Sequence, residues 1–153
     1  MAEAADHHFR RLERMYHDAP INTTVPSRLS VSEGRAEVRL TVDSSFHHAA
    51  HALHGSLYFK ALDDAAYFAA NSIVTDALVL TATFELELLG MIRCETIRAV
   101  GVMERREGRK IWARAELFDD QEELMARGSG LFVVGKWALD HIDGRSESPS
   151  AQA

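Results

Sequence analysis

Hydrophobic and polar residues alternate in six segments of the chain, whereas two other segments have a helical spacing. In the first, Asp6 to Tyr16, apolar residues follow a helical period and Asp6 is a candidate N-cap, which predicts a short amphipathic helix. The second, from about Ser56 to Val74, is mostly Ala, Leu, Ile, Val, Phe and Tyr. It predicts a long helix that is buried on most of its surface.

The alternating segments predict six strands, two before the long helix and four after it. The first two flank Glu33-Gly34 and predict a hairpin, and the last four are separated by Gly90, Glu107-Gly108 and Asp119-Asp120. In chain order the strands are Val25–Val31, Ala36–Val42, Leu78–Leu88, Ile92–Arg105, Lys110–Phe118 and Leu124–Trp137. This order predicts an α+β fold in which one antiparallel sheet is wrapped around one long central helix.

Composition narrows the class of protein. The chain has 153 residues, of which 46% are hydrophobic, so we expect a single domain over residues 1–139 and a disordered tail over residues 140–153. A formal net charge of -6 argues against nucleic acid or a membrane as the main partner. The single cysteine, Cys94, excludes an intramolecular disulfide and fits a reducing compartment, so we expect a cytoplasmic protein.

The segment from Asp43 to Leu53 has neither strand alternation nor a helical stripe, and we expect a loop. Four histidines lie in or next to it: His47, His48, His51 and His54. Histidine clusters can bind metal, but no HExxH pattern or cysteine pair completes a tetrahedral set here. We therefore expect no metal ion and no cofactor.

Acidic residues inside the long helix are the most informative chemical feature, because a buried carboxylate is costly unless it is paired or used in chemistry. Asp63 and Asp64 project about 100° apart on a helix, so they cannot both face one site. Lys60 is three residues before Asp63 and four before Asp64 and could neutralise either one. Periodicity alone leaves both carboxylates open as candidates.

The sequence around this helix resembles the hotdog-fold thioesterases, in particular the acyl-CoA thioesterases of the phenylacetate-pathway (PaaI-like) type. The family pattern is His-Gly-Gly, four residues, then Leu-Ala-Asp, and this chain has His54-Gly55-Ser56, four residues, then Ala61-Leu62-Asp63. A second match is Arg127 to Phe132, which is similar to the start of the family's last strand. The resemblance extends roughly from Val25 to Val134 and implies a hotdog fold.

The resemblance also implies roles for particular residues. Asp63 corresponds to the general base or nucleophile, and the Gly55 N–H corresponds to the group that polarises the thioester carbonyl. Thr81 matches a hydroxyl residue that orients the acid or the attacking water, and His54 supports the site. The spacing from His54 to the acid favours Asp63 over Asp64.

Substrate-binding residues are predicted from the loops and from three departures from the family pattern. Ser56 replaces the second glycine, His48 stands where many relatives have Asn, and Gly90-Met91 replaces a common Arg-Pro pair. Together with the loop residue Phe46, these positions give the candidate substrate-binding set Ser56, His48, Phe46 and Met91.

Helix geometry adds a prediction about assembly. Gly55 and Asp63 are on the order of 10 Å apart along one helix, so one carbonyl cannot contact both. If both act on one thioester, the site lies across a two-fold interface, and we expect a homodimer or a dimer of dimers acting on acyl-CoA. The rival interpretation is a non-catalytic acyl-CoA or acyl-ligand binding protein on the same scaffold; a hotdog-type hydratase signature is not found.

Two further groups of residues have predicted roles, one on the long helix and one between two strands. Aromatic residues on a buried helix usually pack in a core or an interface, so this is expected of Tyr58, Phe59, Tyr67 and Phe68. The basic segment Arg105 to Lys110 is interpreted as a solvated hairpin turn, with coenzyme A phosphates as the alternative ligand.

Overall fold

The computed structural model describes residues 1–142, which form one antiparallel sheet, one long central helix and two helices that precede the first strand. The helices are α1 (Ala2–Asp18), α2 (Ile21–Thr24) and α3 (Gly55–Asn71). The strands are β1 (Ser27–Ser32), β2 (Arg35–Thr41), β3 (Ala77–Leu88), β4 (Thr96–Glu107), β5 (Lys110–Phe118) and β6 (Leu124–Ala138). Short 3-10 segments span Ser44–Phe46 and Leu139–His141.

The sheet has the strand order β1-β2-β4-β5-β6-β3, and every neighbouring pair is antiparallel. Helix α3 packs on the inner face of the sheet and contacts every strand. This arrangement confirms the predicted α+β fold with an antiparallel sheet wrapped around one helix. No helix within residues 1–142 has both the length and the apolar character needed to span a membrane.

Small residues allow α3 to lie close to the sheet. Its buried face carries Ala61, Ala65 and Ala69, all fully buried. At the point of closest approach, β4 has Gly101, where an added Cβ would lie only 2.1 Å from the carbonyl oxygen of Ala65. The contact is with backbone, which cannot move aside as a flexible side chain could, so the position requires a glycine.

We expect Gly101→Ala to destabilise the fold, because the methyl group would push α3 away from β4. Overpacking of this kind typically costs about 1–3 kcal/mol, and a backbone obstacle places this case at the upper end. Urea denaturation would measure the free energy of unfolding. Gly34→Ala at the hairpin turn is the control variant. An added Cβ there meets no atom within 4 Å, so only the positive φ of 68° opposes the substitution. Equal stability of Gly101→Ala and the unsubstituted protein would contradict the close approach.

Helix α3 ends at Asn71, earlier than the predicted Val74, because of a side chain. Asn71 is fully buried; its Nδ2 donates to the carbonyls of Val74 (3.1 Å) and Ala77 (3.0 Å), and its Oδ1 accepts from the Val79 N–H (2.9 Å). These bonds tie the chain leaving the helix to the first residues of β3. Val74 is buried although it lies beyond the end of the helix. Its apolar side chain therefore gave no sign in the sequence that the helix had already ended.

Helix α1 is longer than predicted. It begins at Ala2, and Asp6 is therefore not an N-cap but lies inside the helix, 3.5 Å from Arg10. The segment before Asp6 is rich in Ala and Glu, which are strong helix formers without an apolar stripe, so periodicity missed it. On its inner side α1 packs against β1 and α3, with Tyr16 in an edge contact with Phe68.

The first residues of β1 and β4 also differ from the predictions, each by two residues or more. Strand β1 begins at Ser27 rather than Val25, because helix α2 extends to Thr24 and Pro26 has no N–H to donate to a ladder. Strand β4 begins at Thr96 rather than Ile92. Ile92 is buried, but its N–H donates to the hydroxyl of Tyr58 in α3. This residue is therefore hydrogen-bonded to the helix and not to a neighbouring strand.

Strand β3 lies at one edge of the sheet and pairs only with β6 within the described residues. From Leu80 onward it is largely exposed, and Leu80 and Leu88 each expose about half of their surface.

After the last strand, Asp140 and His141 lie in a 3-10 segment. Of the tail predicted to be disordered, residues 140–142 are described, and residues 143–153 lie outside the described residues.

Candidate active site

Helix α3 begins with a backbone N–H that is left unpaired. His54 is the N-cap, and its Nδ1 accepts from the Ser56 N–H (3.1 Å) and lies 2.7 Å from the Ser56 hydroxyl. Gly55 is the first helical residue, and its N–H has no acceptor among residues 1–142. The start of a helix carries partial positive charge, so this N–H is suited to bind an oxyanion.

Gly55 lies on the wall of a cavity of about 410 Å³, which we call the glycine cavity. Tyr58 holds one wall in place: its hydroxyl donates to the Gly90 carbonyl (2.7 Å) and accepts from the Ile92 N–H (2.8 Å). The lining residues are His48, Leu53, Gly55, Tyr58, Leu88, Leu89, Gly90 and Met91.

Asp63 lies about two turns further along α3 and faces a different cavity. The Thr81 hydroxyl on β3 donates to Asp63 Oδ1 at 3.0 Å. Both residues line a cavity of about 680 Å³ between α3, β3, α1 and α2, which we call the acid cavity. Its apolar wall is formed by Met15, Tyr16, Ile21, Tyr67, Phe68, Leu78 and Ile142.

Burial raises the pKa of Asp63 from its ordinary value of 3.8 to about 6. The hydrogen bond from Thr81 opposes this shift, the negative charge of Asp64 adds to it, and the positive charge of Lys60 opposes it. A carboxylate with a pKa near 6 is mostly ionised at pH 7 and is a stronger base than an exposed aspartate. Such a pKa suits a general base that works near neutral pH.

The raised pKa predicts that Asp63 lowers stability at neutral pH. The folded protein binds the proton more tightly than the unfolded chain, so stability falls as pH rises from about 4 through 6. We expect Asp63→Asn to be more stable than the unsubstituted protein at pH 8 by about 1–2 kcal/mol, after allowance for solvent screening. The two proteins should converge at pH 4, and urea denaturation at both pH values tests this. A constant difference would contradict the raised pKa.

Asp64 has a different environment from its neighbour. Its Oδ2 accepts from Lys60 Nζ (2.6 Å) and from the Tyr16 hydroxyl (2.9 Å), and Lys60 Nζ also donates to Asn22 Oδ1 (2.7 Å). Burial raises the pKa of Asp64, and the charge and hydrogen bond of Lys60 oppose that shift. Asp64 is therefore tied into an ion pair, whereas the Asp63 carboxylate is hydrogen-bonded only to a neutral hydroxyl among the described residues.

The structure divides the predicted site residues between several places. Gly55, His48 and Met91 line the glycine cavity, and Asp63 and Thr81 line the acid cavity. The remaining three line neither cavity: His54 and Ser56 form the helix cap, and Phe46 packs against the core from its 3-10 segment.

Several lining residues were missed by the sequence analysis. Met15 belongs to the apolar stripe of α1, but nothing in the stripe shows which part faces a cavity. Ile21 lies in α2, a short helix that the sequence analysis did not predict. Tyr67 and Phe68 were expected in a core or an interface rather than in an acyl pocket, yet both also line the acid cavity.

The loop histidine His48 has a backbone partner. His48 Nδ1 accepts from the Ala50 N–H (3.0 Å). Residues 1–142 contain no group of three His, Cys, Asp or Glu side chains placed to hold a metal ion.

In the basic segment Arg105 to Lys110, the Arg105 guanidinium stacks on Trp112, and Arg109 donates to the Val134 carbonyl. These contacts match the interpretation as a hairpin turn.

A six-stranded antiparallel sheet wrapped around one long helix, with an acid midway along that helix, defines a protein of the hotdog fold. The chain belongs to the thioesterase superfamily, whose family model matches residues 50–126. The match includes α3 with Gly55 and Asp63, and it confirms the resemblance to the hotdog-fold thioesterases. Among curated proteins, no sequence gives a significant match.

Solved structures share the fold over most of the chain. The E. coli PaaI protein from the phenylacetic acid degradation operon has a TM-score of 0.79 and 18% identity, covering 89% of this chain and 96% of that one. A phenylacetic acid degradation-related protein from Ralstonia eutropha has a TM-score of 0.74 and 20% identity, with coverages of 83% and 99%. A Haemophilus influenzae thioesterase has a TM-score of 0.74, 12% identity and coverages of 83% and 90%.

Proposed function

We propose that this protein hydrolyses an acyl-CoA thioester to a free acid and coenzyme A. Membership of the thioesterase superfamily supports hydrolysis of a thioester. The observation that carries the assignment to particular residues is the environment of Asp63, a carboxylate with a raised pKa that is hydrogen-bonded to Thr81 and open to a cavity.

Asp63 acts as a general base or as the nucleophile. As a base, it takes a proton from water while the water oxygen attacks the thioester carbonyl carbon. The oxyanion that forms accepts a hydrogen bond from the Gly55 N–H, and the C–S bond then breaks to release the thiolate, which takes up a proton. Thr81 orients the carboxylate, and His54 fixes the start of the helix that carries the donor.

The acid and the donor of one active site come from different protomers. Within one protomer Asp63 and Gly55 line separate cavities, on the order of 10 Å apart along α3. The exposed edge of β3, with Leu80 and Leu88, is the kind of surface that a second strand covers. A two-fold dimer formed there brings the acid cavity of one protomer to the glycine cavity of its partner, giving two sites per dimer.

The acyl group occupies the acid cavity, whose aromatic and aliphatic wall suits an apolar or aromatic acyl chain. A panel of aryl and aliphatic acyl-CoA esters, assayed with a thiol-detecting reagent, tests the proposal. We expect turnover of at least one member with a rate that rises with pH through about 6. Tight binding of acyl-CoA without release of thiol would contradict hydrolysis and favour a binding protein instead.

A further inference from the structure

An ion pair lies beside the proposed base in the acid cavity. Lys60 and Asp64 are one helical turn apart on α3, with Nζ and Oδ2 separated by 2.6 Å, and both side chains are mostly buried. Two residues outside α3 hold the pair: Tyr16 of α1 donates to Asp64, and Asn22 of α2 accepts from Lys60. Each charged group therefore has a fixed partner.

Among residues 1–142, the charged side chains that line the acid cavity around Asp63 come from only two elements, α3 and α1. On α3 they are Lys60 and Asp64, with the titratable Tyr67 beside them, and on α1 the cavity is lined by Arg14, Tyr16 and Asp18. Helix α2 contributes the neutral Asn22, and β3 contributes the neutral Leu78 and Thr81. Lys60 and Asp64 are the nearest charged neighbours in sequence, on the same helix.

We propose that Lys60 and Asp64 are positioning residues that form a neutral pair and thereby leave Asp63 as the single net negative charge of the acid cavity's α3 wall. This inference rests on the proposed function, because it assigns the pair a role in keeping Asp63 ionised during hydrolysis. Tyr16 and Asn22 keep Lys60 directed at Asp64, so that Lys60 does not pair with Asp63 and reduce its basicity.

The electrostatics of Asp63 agree with this arrangement. The charge of Asp64 raises the pKa of Asp63, whereas the charge of Lys60 lowers it, so the two effects oppose each other. Removing one member of the pair should shift the titration of Asp63, and the direction should depend on which member is removed. Removing both should largely restore it.

The experiment compares Lys60→Met, Asp64→Asn, the double variant and the conservative Lys60→Arg. The first readout is the pH titration of the Asp63 carboxyl carbon by NMR, its resonance identified by its absence in Asp63→Asn. We expect a pKa about one unit higher in Lys60→Met, about one unit lower in Asp64→Asn, and near that of the unsubstituted protein in the other two. The second readout is the acidic limb of the pH profile of kcat/KM, which should move in the same directions.

Unchanged titration of Asp63 in Asp64→Asn, or a shift in the double variant as large as that in Asp64→Asn, would overturn the inference, even if Lys60→Met does not fold. Shifts of the same sign in Lys60→Met and Asp64→Asn would overturn it as well, because a merely structural role would disturb Asp63 in one direction. Failure of the proposed function is distinguishable: no thioester is then hydrolysed by any variant, while the NMR titration still reports whether the pair sets the charge state of Asp63.

Discussion

Asp63→Asn is expected to lower kcat for thioester hydrolysis by about 10²–10⁴-fold, the usual contribution of a general base. Asparagine has nearly the same shape and can still accept the hydrogen bond from Thr81, so the acid cavity should keep its geometry. What the variant loses is the ability to take a proton or to attack the carbonyl. The KM should change little, because the carboxylate does not provide the main binding surface.

Asp64→Asn is the matched comparison for this experiment, since it makes the same chemical change one residue away. We expect this variant to keep hydrolysing thioesters at pH 8, where Asp63 is ionised in either protein. Its free energy of unfolding should fall by about 1–3 kcal/mol, because Lys60 is left without its carboxylate partner. The opposite pattern, with activity lost in Asp64→Asn and kept in Asp63→Asn, would show that the neighbouring acid is the base.

Gly55→Pro is expected to lower kcat by about 10²–10³-fold, the loss typical for one oxyanion donor. Proline removes the N–H and is well tolerated at the first position of a helix, where that N–H has no helical partner. His54 already has the extended conformation that a residue before proline prefers, with φ -63° and ψ 138°. The variant therefore removes the donor while keeping α3 intact.

Gly55→Ala separates the loss of the donor from the effect of added bulk. A Cβ at this position lies 3.5 Å from Leu88 Cδ1, an ordinary van der Waals distance, and alanine keeps the N–H. We expect a smaller loss than in Gly55→Pro, arising from the methyl group near the approaching substrate. Equal activity of Gly55→Pro and Gly55→Ala in steady-state assays would show that the N–H is not an oxyanion donor.

The sequence predicted most of the fold because its signals were periodic. Strand alternation gave β5 at Lys110–Phe118 with both ends correct, and the apolar run gave α3 to within a few residues. Boundaries were wrong where a specific side chain decides them, as at Asn71, whose buried amide ends α3. A buried residue outside a regular element, such as Ile92, has the same apolar character as one inside a strand.

The candidate site was predictable only in part. The family resemblance predicted Gly55 as the donor, the spacing from His54 favoured Asp63 as the acid, and the structure adds the 3.0 Å contact between Thr81 and Asp63. The pairing of Lys60 with Asp64 was open in the sequence because both acids lie within helical reach of the lysine. Tyr16 and Asn22 settle it through contacts 38 to 48 residues away in sequence, which local spacing does not reveal.

The central claim, that each active site combines Asp63 of one protomer with Gly55 of its partner, is tested most directly by mixing two inactive variants. Asp63→Asn and Gly55→Pro are unfolded together and refolded in equal amounts, and hydrolysis is compared with each variant alone. Random dimerisation makes half of the dimers mixed, and each mixed dimer has one intact site of two, so we predict about a quarter of the activity of the unsubstituted protein. Mixed dimers that form, as shown by differently tagged chains eluting together, but have no more activity than either variant alone would contradict a shared site.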